Sequence, residues 1–212
     1  MYTAFLLIIA AAGLAVAVRG LAAARRLDSK LVLFNVAALV AVALDSLLGG
    51  LGRWLGAGEQ LRDVYALPLL ISMVALPLTL YTFATICRRL GFAWARPDWG
   101  HGAVCLYAAA LLLYSLRGVF ALKQIHPAYW RDVVWYPTST GITLVLASVL
   151  LAYLGLGAGL WWRDRRPWLF AAMGVGILLT LLPAVWGPVP WFVGESLCFS
   201  AMTVAAIRYA AS

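Results

Sequence analysis

The chain has 212 residues, 65% of them hydrophobic and 11% charged, with a formal net charge of +8. A soluble domain carries about 45–50% and about 25%, so this composition excludes a soluble enzyme and predicts an all-α integral membrane protein, residues 1–212 forming a single transmembrane domain. The basic residues fall between apolar spans, which reads as membrane topology and excludes a nucleic-acid surface.

In chain order, hydropathy punctuated by Gly, Pro and charge predicts helices near 3–18, 31–51, 65–88, 102–120, 137–160, 167–184 and 190–210. The first lacks the positive leader and cleavage site of a secretory signal and reads as a retained helix. The second carries Asp45 in LVLFNVAALVAVALDSLLGGL, and the third carries Ser72 between Pro68 and Pro77. Tyr114 and Arg117 lie near the end of the fourth. The fifth opens on Thr138, Ser139 and Thr140 and holds Gly155 and Gly159 at GxxxG spacing, read as close packing inside the bundle. Pro183 closes the sixth, and Glu195 sits in the seventh, PWFVGESLCFSAMTVAAI. The three cysteines, Cys87, Cys105 and Cys198, have no CxxC spacing and read as small buried hydrophobes.

Loop charge alternates along this order. Arg19, Arg25, Arg26 and Lys30 follow helix 1, Arg88, Arg89 and Arg96 follow helix 3, Arg163, Arg165 and Arg166 follow helix 5, and Arg208 ends helix 7. The positive-inside rule makes these ends cytoplasmic. The expected protein is a seven-transmembrane-helix bundle with the N-terminus outside and the C-terminus cytoplasmic. Its Ala/Leu/Arg-rich composition suits a prokaryotic inner membrane.

An ionisable group in a membrane span costs several kcal/mol unless it faces a cavity or a partner, which makes Asp45 and Glu195 a functional-site hypothesis by default. On the predicted topology Asp45 lies roughly 9 Å below the outer end of helix 2, and Glu195 roughly 7 to 8 Å below that of helix 7. Ser72, Arg117 and the start of helix 5 reach the same level, so a polar pocket in the outer half is expected. A structural alternative is a buried Asp45–Arg117 pair that fixes packing. Trp54, Tyr65, Tyr114, Trp130, Trp135, Tyr136, Trp186 and Trp191 crowd this end. An interfacial belt accounts for most of them, and the remaining rings can line the pocket and stabilise a cation.

Only His101 and His126 are present, too few for the metal site of a seven-helix lipid amidase, and the last lysine, Lys123, precedes the final helix, which excludes a retinal Schiff base. GxSxG, HExxH, Walker and GxGxxG motifs are missing, as is an Asp-rich diphosphate site. No metal and no cofactor are expected.

What remains is proton chemistry. A carboxylic acid in an apolar site can protonate an alkene or epoxide, a second carboxylate can remove a proton later, and aromatic faces can shelter the carbocation. In span number, length and the placement of Asp45 and Glu195, the chain resembles the small seven-helix integral membrane terpene cyclases of fungal meroterpenoid and bacterial indole-terpenoid pathways. The resemblance implies that these acids form the catalytic pair; on the chemistry above, Asp45 is expected as general acid and Glu195 as final base or orienting partner, with the roles exchangeable, and Arg117 to tune or orient them. It further implies an apolar isoprenoid, or its terminal epoxide, taken from the bilayer and cyclised without a metal. The alternative is a proton- or ion-coupled carrier, or a seven-helix ligand-binding sensor, using the same acids. Helix breaks at Pro68, Pro77 and Pro183 would favour transport.

Overall fold

The computed structural model describes residues 2–56, 58–117, 128–131, 133–135, 140–182 and 188–210. Seven helices run through them: α1 Tyr2–Arg26, α2 Lys30–Leu55, α3 Glu59–Arg89, α4 Asp98–Leu116, α5 Thr140–Asp164, α6 Trp168–Thr180 and α7 Val189–Ala205, the last continued by a π-helical turn over Ala206–Ala210. Six are long and apolar enough to cross a membrane; α6, with 13 residues, is shorter. The protein is an all-α membrane-type bundle.

Several helix bounds depart from the expected ones, α6 ending at Thr180 and not near 184, and three of the departures fall on charged residues. α1 continues through Arg19, Arg25 and Arg26, residues expected in a loop, so only 27–29 separate it from α2. α3 begins at Glu59, whose carboxylate lies 3.6 Å from Arg62 one turn on. α4 begins at Asp98, which meets Arg88 at the end of α3 at 2.8 Å. Polar first turns carry a loop-like composition yet are helical.

α2 is the central element, packed on α1, α3 and α7, and α7 in turn packs on α6 and α1. α4 sits outside this group, chiefly against α3 and more lightly against α5. One large core joins the helices, with Leu39, Met73, Tyr153, Leu156, Phe199 and Met202 at its centre, each at most 1% exposed.

α3 does not break at its prolines: Pro68 and Pro77 both lie inside the continuous helix. A proline removes the N–H that would bond the carbonyl four residues earlier. For Pro77 that carbonyl belongs to Met73, and the Ser115 hydroxyl of α4 lies 2.7 Å from it, shared with Leu112 O at 2.9 Å. Pro183 falls outside the described residues.

The GxxxG expectation is also revised. A Cβ on Gly155 would meet nothing within 4 Å, and one on Gly159 would meet the Phe92 ring at 2.6 Å. The close helix approach is made by Gly157 between them, where a Cβ would lie 2.6 Å from the Phe170 backbone nitrogen of α6.

A feature not expected from the sequence is a short antiparallel hairpin, β1 Ala128–Trp130 and β2 Val133–Trp135, with Tyr129 opposite Val134. Two three-residue strands are marginal alone, so packing holds them at one end of the bundle. Val133 is grouped with Leu6, Val189 and Phe192, and Val134 with Leu48, Leu61 and Tyr65. A Cβ on Gly52 of α2 would lie 2.7 Å from the Val134 carbonyl oxygen, so only glycine lets the hairpin settle there.

Candidate functional site

Asp45 and Glu195 face one cavity. It measures about 30 Å³ and is lined by Ala41, Val42 and Asp45 of α2, Pro68, Leu69, Ser72 and Leu76 of α3, Leu146 of α5, and Glu195 and Phe199 of α7. A water molecule needs about 10–15 Å³ on this measure, so the space suits one or two waters. Glu195 is 6% exposed, and Asp45 is partly buried. The two carboxyls are close enough to interact electrostatically, and the Trp191 indole, one turn earlier on α7, lies beside Glu195.

Helix periodicity builds this site. Ala41 and Val42 precede Asp45 by four and three residues, Pro68, Leu69 and Leu76 flank Ser72 by four, three and four, and Phe199 follows Glu195 by four. Residues at such spacings share a helix face, so three polar residues bring their own apolar walls with them. Leu146 alone enters from a helix that contributes no polar group to the cavity.

Positioning is tight where α7 enters. A Cβ on Gly194, beside Glu195, would meet Thr180 Cγ2 at 2.8 Å and the Thr180 backbone nitrogen at 2.9 Å. One turn above Asp45, a Cβ on Gly49 would touch Phe192, the Tyr65 hydroxyl and Leu6 at 3.3 to 3.5 Å. Small residues thus draw α1, α2, α6 and α7 together around the acids.

Of the residues singled out in the sequence, Asp45, Ser72 and Glu195 come together here, with Trp191 beside Glu195 on α7. Arg117 does not: it is exposed at the end of α4, a helix that packs on neither α2 nor α7 in any substantial way. The Asp45–Arg117 ion pair, the structural alternative, is absent among the described residues, and none of those lining the cavity is basic. Tyr65 is 1% exposed, yet its hydroxyl points to the hairpin, donating to Val134 O at 3.4 Å. Trp54 is 66% exposed and Tyr114 38%, which suits the interfacial belt. Tyr136, Thr138, Ser139 and Trp186 lie outside the described residues, as do the side chains of Trp130, Trp135 and Thr140.

A second polar layer escaped the sequence reading. Tyr153 of α5 donates to Asn35 Oδ1 of α2 and to Thr79 O of α3, both at 3.2 Å. Thr203 of α7 reaches Asn35 O at 3.4 Å, and Thr82 of α3 bonds Leu31 O at 3.2 Å. Asn35, Thr79, Tyr153 and Thr203 are each 0% exposed. Thr79 and Thr203 lie two helical turns from Ser72 and Glu195 on the same faces. An apolar layer of Val42, Leu76, Leu146 and Phe199 at the cavity floor separates the two polar levels.

The chemistry available is that of two carboxylic groups in a water-sized space walled by hydrocarbon. Such a site binds and releases protons; an oxygen-ligated cation prefers six or more oxygens, and Asp45, Ser72 and Glu195 supply few. No protein-family model, curated protein or solved structure matches the chain, so its geometry alone carries the functional reading.

Proposed function

We propose that Asp45 and Glu195 form an intramembrane proton-binding pair through which the bundle couples proton uptake and release to movement of a solute across the membrane. The observation that carries this reading is the cavity of about 30 Å³ shared by the two acids, which has room for water but not for an organic substrate. Acids buried in membrane bundles and facing a cavity mark proton pathways. The Trp191 indole lies beside Glu195, and Ser72 offers a hydroxyl that can accept or donate a hydrogen bond at the cavity wall.

Infrared difference spectroscopy on the purified protein across a pH step tests this without knowledge of the solute. A carboxylic C=O band that appears on acidification is expected, lost in Glu195→Gln and altered in Asp45→Asn. Identical difference spectra for wild type and both variants would sink the proposal.

The topology proposed with it has seven crossings, the N-terminus outside and the C-terminus cytoplasmic. Its support is the gathering of basic residues at alternate helix ends, including Arg163, which donates to Leu90 O and so places the end of α5 beside the end of α3. α6, at 13 residues and roughly 20 Å, is the crossing this topology demands most of. Labelling of single cysteines at 57 and 166 from either side of the membrane tests it; equal access from one side would overturn it.

A second reading keeps the acids as a Brønsted pair that cyclises an isoprenoid. Its support is an apolar surface groove of about 480 Å³ on the α2–α3 seam, lined by Phe34, Ala37, Leu70, Ile71, Val74, Ala75 and Leu78. Ala37 is one turn from the cavity-lining Ala41 and Ile71 is adjacent to Ser72. Under this reading a chain in the groove reaches Asp45 only after α2 and α3 part. Cyclic products in lipid extracts that vanish in Asp45→Asn and Glu195→Gln would favour it.

A further inference from the structure

α1 divides lengthwise into two faces. Leu6, Ala10, Gly13, Ala17, Gly20 and Ala24 are buried, whereas Phe5, Ile8, Ala12 and Ala15, at the intervening three- and four-residue spacings, are exposed. Continued along the helix, that exposed stripe meets Arg19, Ala22 and Arg26, all exposed. The two arginines bracket a surface groove of about 430 Å³ whose remaining walls are Ala22, Ala23 and Leu27. Arg19 and Arg26 stand seven residues apart, roughly 10 Å along the axis, with only methyl groups between them.

Neither arginine forms an ion pair among the described residues. Arg19 lies within a helix long and apolar enough to cross a membrane, of whose most apolar stretch only 28% is buried. A guanidinium on a lipid-facing surface is costly without a counter-charge. Phosphate supplies that charge with bidentate geometry, and anionic headgroups concentrate at basic membrane-edge segments.

We infer that the Arg19–Arg26 groove is a binding site for an anionic phospholipid. Its phosphodiester sits between the two guanidiniums, and an acyl chain runs along Ala15, Ala12, Ile8 and Phe5. The alanines at 22 and 23 leave the space that the headgroup fills, and the stripe of small residues keeps the chain against the helix. This site lies apart from the acid cavity and holds whichever reading of those acids is correct.

Thermal unfolding in nanodiscs tests the site, with phosphatidylglycerol set against phosphatidylcholine. Phosphatidylglycerol is expected to raise the midpoint by a few degrees, since a ligand bound only to the folded state stabilises it. The rise should disappear in Arg19→Gln and Arg26→Gln and persist in Arg25→Gln, an exposed neighbour outside the groove. Native mass spectrometry of wild type and Arg25→Gln, counting retained phosphatidylglycerol, gives a readout that does not depend on the groove variants folding; retention by both is expected. The inference is overturned if the two lipids give equal midpoints, if Arg25→Gln loses the effect as fully as Arg19→Gln, or if inorganic phosphate alone reproduces the rise.

Discussion

Gly194 and Gly176 bring α7 and α6 into backbone contact, so close that a Cβ on Gly194 would collide with the Gly176 carbonyl oxygen. The next residue is Glu195, and this contact sets where its carboxyl enters the cavity. Gly194→Ala is expected to push the helices apart at a cost of about 1–3 kcal/mol, typical of overpacking. Gly174→Ala, whose Cβ meets nothing within 4 Å, should be neutral or stabilising by up to about 1 kcal/mol through helix propensity. Thermal unfolding of both variants checks the contrast; equal midpoints would refute the packing argument.

Filling the cavity should silence the acids without removing them. Ala41 lies at its wall one turn before Asp45, so Ala41→Leu directs a larger side chain into the water-sized space. Markedly slower hydrogen–deuterium exchange of the carboxyl infrared bands is expected, with a stability cost of about 1–3 kcal/mol. Exchange at the wild-type rate would mean that protons reach the acids by another route.

The Tyr153–Asn35 hydrogen bond ties α5 to α2 across the buried layer. Tyr153→Phe and Asn35→Leu, alone and combined, form a double-mutant cycle. Its coupling energy should fall near about 0.6 kcal/mol and not exceed about 1.7 kcal/mol, the range found for hydrogen bonds between membrane helices. A coupling of zero would show that the two side chains act independently.

At the hairpin, Gly52→Ala should lift β2 from α2, because the new methyl group would meet Val134 at under 3 Å. Tyr65→Phe removes one long hydrogen bond and should cost no more than about 1.5 kcal/mol. Labelling of Val134→Cys, buried in the wild type, should speed up with Gly52→Ala and hardly change with Tyr65→Phe.

The acids were legible because their environment was. A carboxylate amid LVAVAL or FVGESL stands out by cost alone, and helix periodicity carries Ala41, Val42 and Phe199 along with it. Arg117 was misplaced because depth fixes only one coordinate: a residue at the right level can still ride on a helix at the edge of the bundle, as α4 does. The Tyr153–Asn35 layer was hidden for the converse reason. Asn, Tyr and Thr are cheap enough in a span to pass unremarked until their partners on other helices are known. The hairpin had a local signal, the aromatic Tyr129-Trp130 and the β-branched and aromatic Val133-Val134-Trp135 flanking Arg131 and Asp132, but tryptophan and tyrosine there also fitted a headgroup belt.

Pro77, Met73 and Ser115 carry a consequence for how the chain enters the membrane. Alone in lipid, α3 would hold a Met73 carbonyl without its usual donor, and an unsatisfied backbone group there costs several kcal/mol. Ser115 supplies the missing donor from the next helix. α3 and α4 should therefore partition together as a helical hairpin, and a nascent chain truncated before 115 should integrate poorly at α3. That gives α4, which brings nothing to the acid cavity, its own task during biogenesis.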